Sequence, residues 1–510
     1  MKLELRSRPL SAVPLVALAG DRAAPADWYE PRPDAEGWKR RVAGTAAEFE
    51  GGAWLSALEP AFQATGAAAD RLRRAAGAGG VVVTTGQQPG LFGGPLYTWF
   101  KAMSALALAD ELEQRTGVAT APVFWAATDD SDFAEASETT ISVPGGAEVI
   151  RIEAPPADGH APMSAVPLGD VSAQLATLVR ACGSAPNSSA LDAVRTAYAA
   201  GATVGGAYLD LLRALLAPLG VPVLDASHPA VRAAGLPLLR KALVNAGELE
   251  EALKRRSKAL KDAGHRAQVA HVAGRTLVFA NDGGGRQRIR VRDAEAHATA
   301  EAQDLTPNVL LRPVMERAIL PTVAYVGGPA EIAYFAQVSA VADGLGVGRP
   351  LIVPRWSGVI VEPHVRKVLS RIKVEVDDFA HPHAVETRVA RDQLPATIAK
   401  ALKRARGKVE AALGDLETAN SAAGVFPVAV LEGAKRQLMH KLDRLERRYI
   451  AATKRKGSEL LTDVATARGS LFPDGKPQER ALNAVPFIAK YGDAVLKAIL
   501  SKAREHAASL

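Results

Sequence analysis

The sequence has few of the residues and motifs that would indicate a function at once. It contains a single cysteine, Cys182, among 510 residues, so an intrachain disulfide and a multi-cysteine zinc site are both excluded. Such cysteine usage is typical of a reducing cytoplasm, which is the expected location. Cys182 lies at the apparent end of a helix in LVRACGSAPNSS, where a structural role is expected rather than a catalytic one.

Long apolar runs are also missing. No stretch reaches the ~18 apolar residues that a membrane-spanning helix needs, so no membrane association is expected. The first 23 residues, MKLELRSRPLSAVPLVALAGDRA, have the early positive charges and small residues of a signal peptide. However, Pro9 and Pro14 interrupt the apolar stretch, and Glu4 lies among the basic residues. We therefore interpret this segment as a short strand and loop that open the first domain.

Metal and hydrolase motifs are absent as well. The ten histidines show no H-E-x-x-H or other metal spacing, and there is no G-x-S-x-G. We therefore expect no resident metal. What function the chain has must be inferred from where its polar residues fall relative to predicted strands and helices.

The positive charge is concentrated at the C-terminal end of the chain. Residues 391–510 contain 22 lysines and arginines against 13 acidic residues, whereas the net charge of the whole chain is +7. A basic segment attracts acidic ligands or nucleic acid, although solvated helix faces have the same composition. A non-catalytic protein that binds a partner through this segment is one alternative, but a nucleic-acid partner is not expected.

A strand, loop, helix and strand in succession form the clearest local pattern. VVVTT, which begins at Val81, is typical of a strand buried on both faces. LYTWFKAMSALALADELEQRTG predicts a helix that stops at Gly117, and APVFWAA predicts a second buried strand. This is a βαβ unit with a right-handed crossover. Further strands at residues 221–227, 321–328 and 349–355 predict an α/β fold with a Rossmann-like, doubly wound parallel sheet.

Two other patterns surround this sheet. Alternating residues and turn signals such as NDGGGR predict small β-rich insertions at residues 143–168 and 264–292. Residues 391–420 and 428–456 have leucine or valine at seven-residue spacing and are joined by NSAAGVFP, which predicts an antiparallel coiled-coil hairpin. The predicted boundaries are 1–142, 201–230 and 306–385 for three parts of the Rossmann-like core, 143–200 and 231–305 for connecting insertions, and 386–510 for a C-terminal coiled-coil domain.

The glutamine loop, residues 85–94, lies at the carboxyl end of the first strand, where doubly wound sheets bind ligands. It is neither a G-x-G-x-x-G fingerprint nor a P-loop with its lysine. Gly86 and the later glycines let backbone approach a ligand, and the next helix offers N–H groups to an anion. Gln87 and Gln88 can donate to a carboxylate or phosphate and accept from an amine. A solvent-facing turn is the structural alternative.

TDDSDF, which follows the second strand, crowds Asp129, Asp130 and Asp132 at one strand end. Mutual repulsion is expected to raise some of their pKa values. These carboxylates could bind a substrate ammonium group, act as a base or hold Mg²⁺. Capping of a helix by Asp132, together with surface charge, is the structural alternative.

Two later strand ends also carry charge. YVGGPAEIAYF supplies Gly327, Gly328 and Glu331, whose carboxylate can receive an amine or simply complement the helix dipole. VPRWS supplies Arg355, a natural partner for a carboxylate or phosphate, or for the aspartates in a salt bridge.

Together these motifs make the chain resemble the BshC family, the cysteine ligases of bacillithiol biosynthesis. The resemblance rests on TTGQQPGLFGGPLYTWFKA, PVFWAATDDSDFAEAS, TPNVLLRPVMERAILPTVAYVGGPAEIAYFAQ, IVPR and PDGKPQERALN, in this order. It implies a Rossmann-like core reminiscent of class I aminoacyl-tRNA synthetases, connecting insertions and a C-terminal coiled coil that supports a homodimer. It also implies a reaction in which cysteine is joined to glucosaminyl-malate, an acidic amino-sugar conjugate.

The resemblance implies that the chemistry is amide formation. A carboxylate must be activated, as an adenylate or acyl phosphate, before the glucosamine amine attacks it. ATP, with or without Mg²⁺, is therefore expected, and no tightly bound cofactor is evident. The implied donors toward developing charge are Gly86, Gln87, Gln88 and Arg355; the implied amine-binding or proton-accepting residues are Asp129, Asp130, Asp132 and Glu331; and Tyr97, Gly327 and Gly328 complete the implied substrate site.

Two details bear on this assignment. The family pattern has a histidine between the aspartates where this chain has Ser131, which can hydrogen-bond but carries no positive charge. A related ligase, or an ATP-independent transferase, is therefore a further alternative. After the coiled coil, PDGKPQERALN is expected to fold back toward the core. Its Lys476, Gln478 and Arg480 could bind nucleotide phosphates, and packing against the core is the structural alternative.

Overall fold

A computed structural model describes residues 3–10, 13–19, 25–153, 161–281, 285–300, 304–381, 383–456 and 459–510. The chain divides into two compact units. The core unit comprises residues 3–141, 149–360 and 479–510, and the helical unit comprises residues 142–148 and 361–478. None of the helices in the described residues is both long and apolar enough to cross a membrane.

The strands are short, and none of those described exceeds seven residues. They are β1 Glu4–Ser7, β2 Val81–Gln87, β3 Thr120–Ala126, β4 Glu138–Val143, β5 Gly146–Arg151, β6 Val223–Asp225, β7 Arg275–Asn281, β8 Arg286–Arg290, β9 Asp304–Pro307, β10 Thr322–Gly327, β11 Ile352–Pro354 and β12 Gly358–Val361.

Helices make up most of the remaining structure. They are α1 Pro14–Leu18, α2 Ala35–Ala47, α3 Ala53–Phe62, α4 Gly66–Gly77, α5 Leu96–Thr116, α6 Phe133–Ala136, α7 Ser172–Cys182, α8 Ser189–Ala197, α9 Val204–Leu216, α10 Pro229–Val244, α11 Ala246–Asp262, α12 Ala294–Thr299, α13 Arg312–Ile319, α14 Pro329–Leu345, α15 Pro363–Ile372, α16 Ala384–Asp392, α17 Ala396–Ala423, α18 Val428–Lys456, α19 Glu459–Leu471, α20 Gln478–Ala481, α21 Val485–Tyr491 and α22 Asp493–Ala507.

The main sheet has five parallel strands in the order β11-β10-β2-β3-β6. Successive side chains of β2 enter different apolar cores, with Val82 on one face and Val81 and Val83 on the other. Helices α3, α4 and α14 pack against the strands on the first face, and α2, α5 and α9 pack against them on the second. This two-sided burial explains the continuous apolar runs in the sequence and confirms the Rossmann-like, doubly wound fold.

The predicted strands are all present, but the outer ones are shorter than the apolar runs that predicted them. Residues 221–227 and 349–355 contribute only β6 and β11, which lie at the two edges of the sheet. An edge strand pairs on one side only, so fewer of its residues need extended, hydrogen-bonded backbone.

The expected insertions are β-rich. Strands β8, β7 and β9 form an antiparallel sheet in the core unit, and β4 pairs with β5 in a two-stranded sheet. The turn predicted from NDGGGR includes residues 282–284, which lie outside the described residues. At the N-terminus, the predicted strand is β1, which pairs with β12.

The helical unit contains the predicted hairpin, formed by α17 and α18. Ion pairs join Arg406 to Asp443 and Glu417 to Lys435, so the two helices run antiparallel. Its apolar seam is only partly covered. Leu413 is 7% exposed, whereas Leu416 is 54% exposed. The leucines at 438 and 445 are exposed as well.

Candidate active site

The glutamine loop is held in shape by the C-terminal end of the core unit. The side-chain amide of Asn483 donates to the carbonyls of Leu91 (3.1 Å) and Phe92 (3.0 Å). Phe92 has a φ of +52°, and the two glycines after it also have positive φ, so the turn is tight. The expectation that PDGKPQERALN returns to the core is confirmed for its last residues.

Two expectations about this loop need correction. The N–H of Leu96, the first residue of α5, donates to the carbonyl of Leu482 (2.9 Å) and is not free for an anion. A Cβ on Gly86 would lie 2.8 Å from the carbonyl oxygen of Trp125 in the neighbouring strand. The close approach that requires glycine at position 86 is therefore strand packing.

Lys101, which was not among the predicted site residues, contacts groups at the ends of β2 and β10. Its side chain is 4% exposed, and it donates to the carbonyl of Gly86 (2.8 Å) and to Oε1 of Gln87 (2.9 Å). It also forms an ion pair with Glu331 (2.6 Å). Burial lowers the pKa of Lys101, and Glu331 acts against this shift. A lysine in the otherwise apolar stretch TWFKAM was the available sequence signal.

Glu331 has three donors. It accepts from Lys101, from the hydroxyl of Tyr325 (2.6 Å) and from the N–H of Gly328 (2.7 Å). Burial would raise its pKa, but Lys101 and these hydrogen bonds outweigh burial and lower it. The amine that Glu331 receives is therefore that of Lys101, and the carboxylate is ionised within a buried pair.

Gln87, Tyr97 and Glu135 form a second polar group beside this pair. Nε2 of Gln87 donates to the Tyr97 hydroxyl (3.1 Å) and to Oε1 of Glu135 (3.4 Å), and Tyr97 donates to the same oxygen (3.2 Å). Burial raises the pKa of Glu135, and Asp132 and Asp130 add to this effect. Glu135 was not among the predicted site residues, although it follows the aspartates directly in TDDSDFAE.

The three aspartates have different environments. Asp129 is buried, which raises its pKa, while Arg286 and Arg312 act in the opposite direction. Asp130 raises the pKa of Asp129 by repulsion, as expected, but burial is the larger cause. Asp132 caps α6 by accepting from the N–H of Glu135 (3.1 Å), so the capping alternative is the one observed.

Arg355 is engaged by a carboxylate from the end of the chain. Its Nη2 and Nη1 donate to Glu479 at 2.7 and 3.1 Å, and the two side chains are 1% and 8% exposed. Arg355 therefore forms a salt bridge, but the alternative prediction that its partner is one of the aspartates was wrong. Nε of Arg355 is buried and has no hydrogen-bond partner among the described residues. It lies 3.7 Å from where a Cβ on Gly328 would be.

Three further arginines line the site: Arg286 and Arg288 come from β8 of the β8-β7-β9 sheet, and Arg312 comes from α13. Arg286 and Arg288 alternate on β8 and stack over Phe279, at 4.4 and 5.1 Å from the ring centroid. Arg286 is fixed by a hydrogen bond to Thr306 (2.9 Å) and by the carbonyl of Pro307. Burial and the nearby arginines lower the pKa of Arg288. The alternation in RQRIR was a sequence signal for one basic strand face.

Glu316 lies one turn beyond Arg312 on α13 and is 1% exposed. Burial raises its pKa to about 8, while Thr84 and Arg312 act in the opposite direction. The helix that brings Arg312 to the site therefore carries a carboxyl group that is largely protonated at neutral pH.

Most of the groups described above line one cavity of about 500 Å³ in the core unit. Its charged lining residues are Lys101, Asp129, Asp130, Glu135, Arg286, Arg288, Arg312, Glu331, Arg355 and Arg480. Gly86, Gln87, Gln88, Tyr97, Ser131, Asn308, Gly328 and Tyr334 also line it. Most predicted site residues are thus brought together, because the carboxyl ends of parallel strands meet at one edge of the sheet.

Four predicted residues are placed elsewhere. Within the described part of the chain, Asp132 and Gly327 are not among the lining residues; a Cβ on Gly327 would instead meet the side chain of Ile352 at 2.7 Å. Lys476 and Gln478 belong to the helical unit, where Gln478 donates to the carbonyl of Ser470 (2.7 Å) and Lys476 is exposed.

Comparison with known proteins gives matches along almost the whole chain. Residues 22–356 match the family model described as "Bacillithiol biosynthesis BshC, N-terminal Rossmann-like domain", and residues 358–509 match "Bacillithiol biosynthesis BshC, C-terminal coiled-coil domain". Two relatives are named "Putative cysteine ligase BshC". The protein from Solibacter usitatus is 33% identical over 453 residues, which cover 86% of this chain and 85% of the relative. The protein from Koribacter versatilis is 33% identical over 442 residues, with coverage of 83% and 81%.

Proposed function

Because the chain belongs to the BshC family of bacillithiol biosynthesis, we propose that it is the ligase that joins cysteine to glucosaminyl-malate at the expense of ATP. The observation that carries the proposal is that the cavity is lined by both positively and negatively charged side chains. Arginines and carboxylates line the same space at the carboxyl ends of parallel strands. Joining an acid to an amine requires groups that bind each reactant at one place.

The arginines are the proposed binding groups for carboxylates and phosphates. Arg288, Arg312 and Arg480 have no carboxylate partner within hydrogen-bonding distance among the described residues, and the free Nε of Arg355 offers a further donor. Planar guanidinium groups suit both oxyanions. Next to Arg355, the missing side chain of Gly328 leaves room for a ligand atom. These features fit a nucleoside triphosphate, which would supply the activating phosphoryl or adenylyl group.

Ser131 lines the same cavity, at the position of the family's histidine. Serine brings no positive charge there. In this chain, Arg286 and Arg312, which lie close enough to influence the pKa of Asp129, supply positive charge beside the aspartates. We propose that they compensate for the missing histidine, so that Ser131 does not by itself argue against the ligase reaction.

The carboxylates are proposed to receive the amine of glucosaminyl-malate. Asp129 and Asp130 are the candidates for binding its ammonium form. Glu331 is proposed to act in the substrate site by positioning its neighbours. Its carboxylate already accepts from Lys101, Tyr325 and Gly328, so it does not itself bind the substrate amine.

In the proposed reaction, the carboxylate of cysteine first becomes an adenylate or an acyl phosphate. The amine then attacks the activated carbon, a C–N bond forms, and the bond from that carbon to the phosphate oxygen breaks. The arginines neutralise the leaving phosphate, and Gln88 donates a hydrogen bond to the substrate. Gln87, whose amide is engaged by Lys101, Tyr97 and Glu135, orients these side chains. A homodimer is also proposed, since the exposed leucines of the hairpin seam are of the kind that pair in coiled coils.

The test uses purified protein with cysteine, glucosaminyl-malate and ATP. Mass spectrometry should show the amide product, together with AMP or ADP according to the activated intermediate. Arg312→Gln should lower product formation by roughly 100-fold or more, whereas Arg255→Gln, on the exposed side of α11, should match the unchanged protein. Product without ATP would favour the transferase alternative. No amide product under any of these conditions would refute the assignment.

A further inference from the structure

Four carboxylates line the cavity, and they are not equally free to take up a proton. Glu331 accepts from three donors. Asp129 is buried and faces Arg286, whose Nη2 lies 4.0 Å from its carboxylate. The carboxylate of Asp130 accepts from the N–H of Asp132 (3.0 Å). Glu135 lines the cavity on one side, where its carboxylate is partly buried, and is open to solvent on the other, so a proton that it takes up can pass to water.

Glu135 is held through one oxygen only. Its Oε1 accepts from Tyr97 and Gln87, and its Oε2 makes no hydrogen bond within the described residues. The carboxylate therefore keeps one oxygen for an incoming proton while the other fixes its orientation. A general base needs this combination of reach and fixed geometry.

Lys101 explains why Gln87 points its amide nitrogen toward Glu135. A lysine ammonium group has donors and no acceptor, so the side chain of Gln87 must turn its oxygen to Lys101. Its NH₂ group then faces Tyr97 and Glu135. Burial raises the pKa of Tyr97, so its hydroxyl stays a donor. The ordered set Lys101, Gln87, Tyr97 thus presents Glu135 as a hydrogen-bonded carboxylate.

We propose that Glu135 accepts the proton of the glucosamine amine as this amine attacks the activated carbonyl carbon of cysteine. This inference rests on the proposed function. As the C–N bond forms, the phosphate leaves with the electron pair of the broken C–O bond, and the proton moves from nitrogen to Glu135 and then to water. The raised pKa of Glu135 brings it closer to neutral pH, where a general base is most effective.

The test separates activation of cysteine from attack by the amine. Hydroxylamine is largely unprotonated at neutral pH and attacks activated carboxylates without a base, so cysteine hydroxamate reports activation alone. Glu135→Gln should lower the rate of amide formation with glucosaminyl-malate by roughly 100-fold and leave the rate of hydroxamate formation unchanged. Glu138→Gln is the matched control, because Glu138 lies three residues on and pairs with Arg151 outside the cavity.

The pH profile gives a second measure. In the unchanged protein, amide formation should fall as pH drops through the raised pKa of Glu135, and Glu135→Gln should remove this acidic limb. Amide formation at the normal rate in Glu135→Gln would overturn the inference, as would an equal loss of both products, which would indicate a structural role. Absence of both products with the unchanged protein would instead overturn the proposed function.

Discussion

The buried carboxyl group of Glu316 allows the stability of the core unit to be predicted as a function of pH. Its pKa of about 8 in the folded protein compares with 4.5 for an ordinary glutamate. Between these values the folded protein holds a proton that the unfolded chain has lost. The stability that this group contributes is full below pH 4.5 and is lost as pH rises toward 8.

The magnitude follows from the same two values. At ~1.4 kcal/mol for each pH unit by which they differ, Glu316 should account for a fall of about 5 kcal/mol in the free energy of unfolding between pH 4.5 and 8. Glutamine has nearly the same shape and does not ionise. Glu316→Gln should therefore remove this fall, and the variant should gain several kcal/mol on the unchanged protein as pH rises from 5 to 8.

Urea denaturation followed by tryptophan fluorescence suits this measurement. All six tryptophans lie in the core unit, so the signal follows that unit without a contribution from tryptophans of the helical unit. Glu248→Gln, at an exposed position on α11, is the control and should keep the pH dependence of the unchanged protein. If Glu316→Gln shows the same fall in the free energy of unfolding with pH as the unchanged protein, to within about 1 kcal/mol, the buried carboxyl group does not titrate as argued.

Three further outcomes are expected at the strand ends. Lys101→Met should lower the free energy of unfolding by about 3 kcal/mol, because it leaves the buried Glu331 carboxylate without its cation. Urea denaturation measures this loss, and the double variant that also carries Glu331→Gln should recover part of it. Glu479→Gln should have a similar cost through Arg355, and an unchanged denaturation midpoint would contradict it. Gly328→Ala should fold normally, since its φ of −91° suits alanine, but should raise the KM for a substrate roughly tenfold; an unchanged KM would show that no ligand atom occupies that space.

The parts of the fold that could be predicted are those for which a short stretch of sequence shows a characteristic pattern of apolar residues. Val81 to Val83 are apolar in succession because the sheet is covered on both faces, and a continuous apolar run states this directly. The hairpin of α17 and α18 is recorded in the same way by its seven-residue spacing. Strand-end residues such as Gln87 and Asp129 meet in one cavity because parallel strands end at one edge, which topology alone requires.

The partners within the site could not be predicted, because they depend on contacts between distant parts of the chain. Lys101 meets Glu331 across 230 residues of sequence, and Arg355 meets Glu479 across 124. No periodicity links either pair. Arg286 was missed for a related reason: the pattern of the insertion shows a strand, but it does not show that this strand lies over the aspartates.

The hydrogen bonds of Asn483 imply an order in which the parts of the site form during synthesis. The carbonyl of Leu91 receives its hydrogen bond from a side chain made 392 positions later. Since the ribosome makes the chain from its N-terminus, the glutamine loop exists long before the amide that fixes it. The Leu482 carbonyl that accepts from Leu96 arrives just as late. During synthesis, the central strands can therefore be present while the site is still incomplete, and the cavity gains its final form only when the end of the chain has been made.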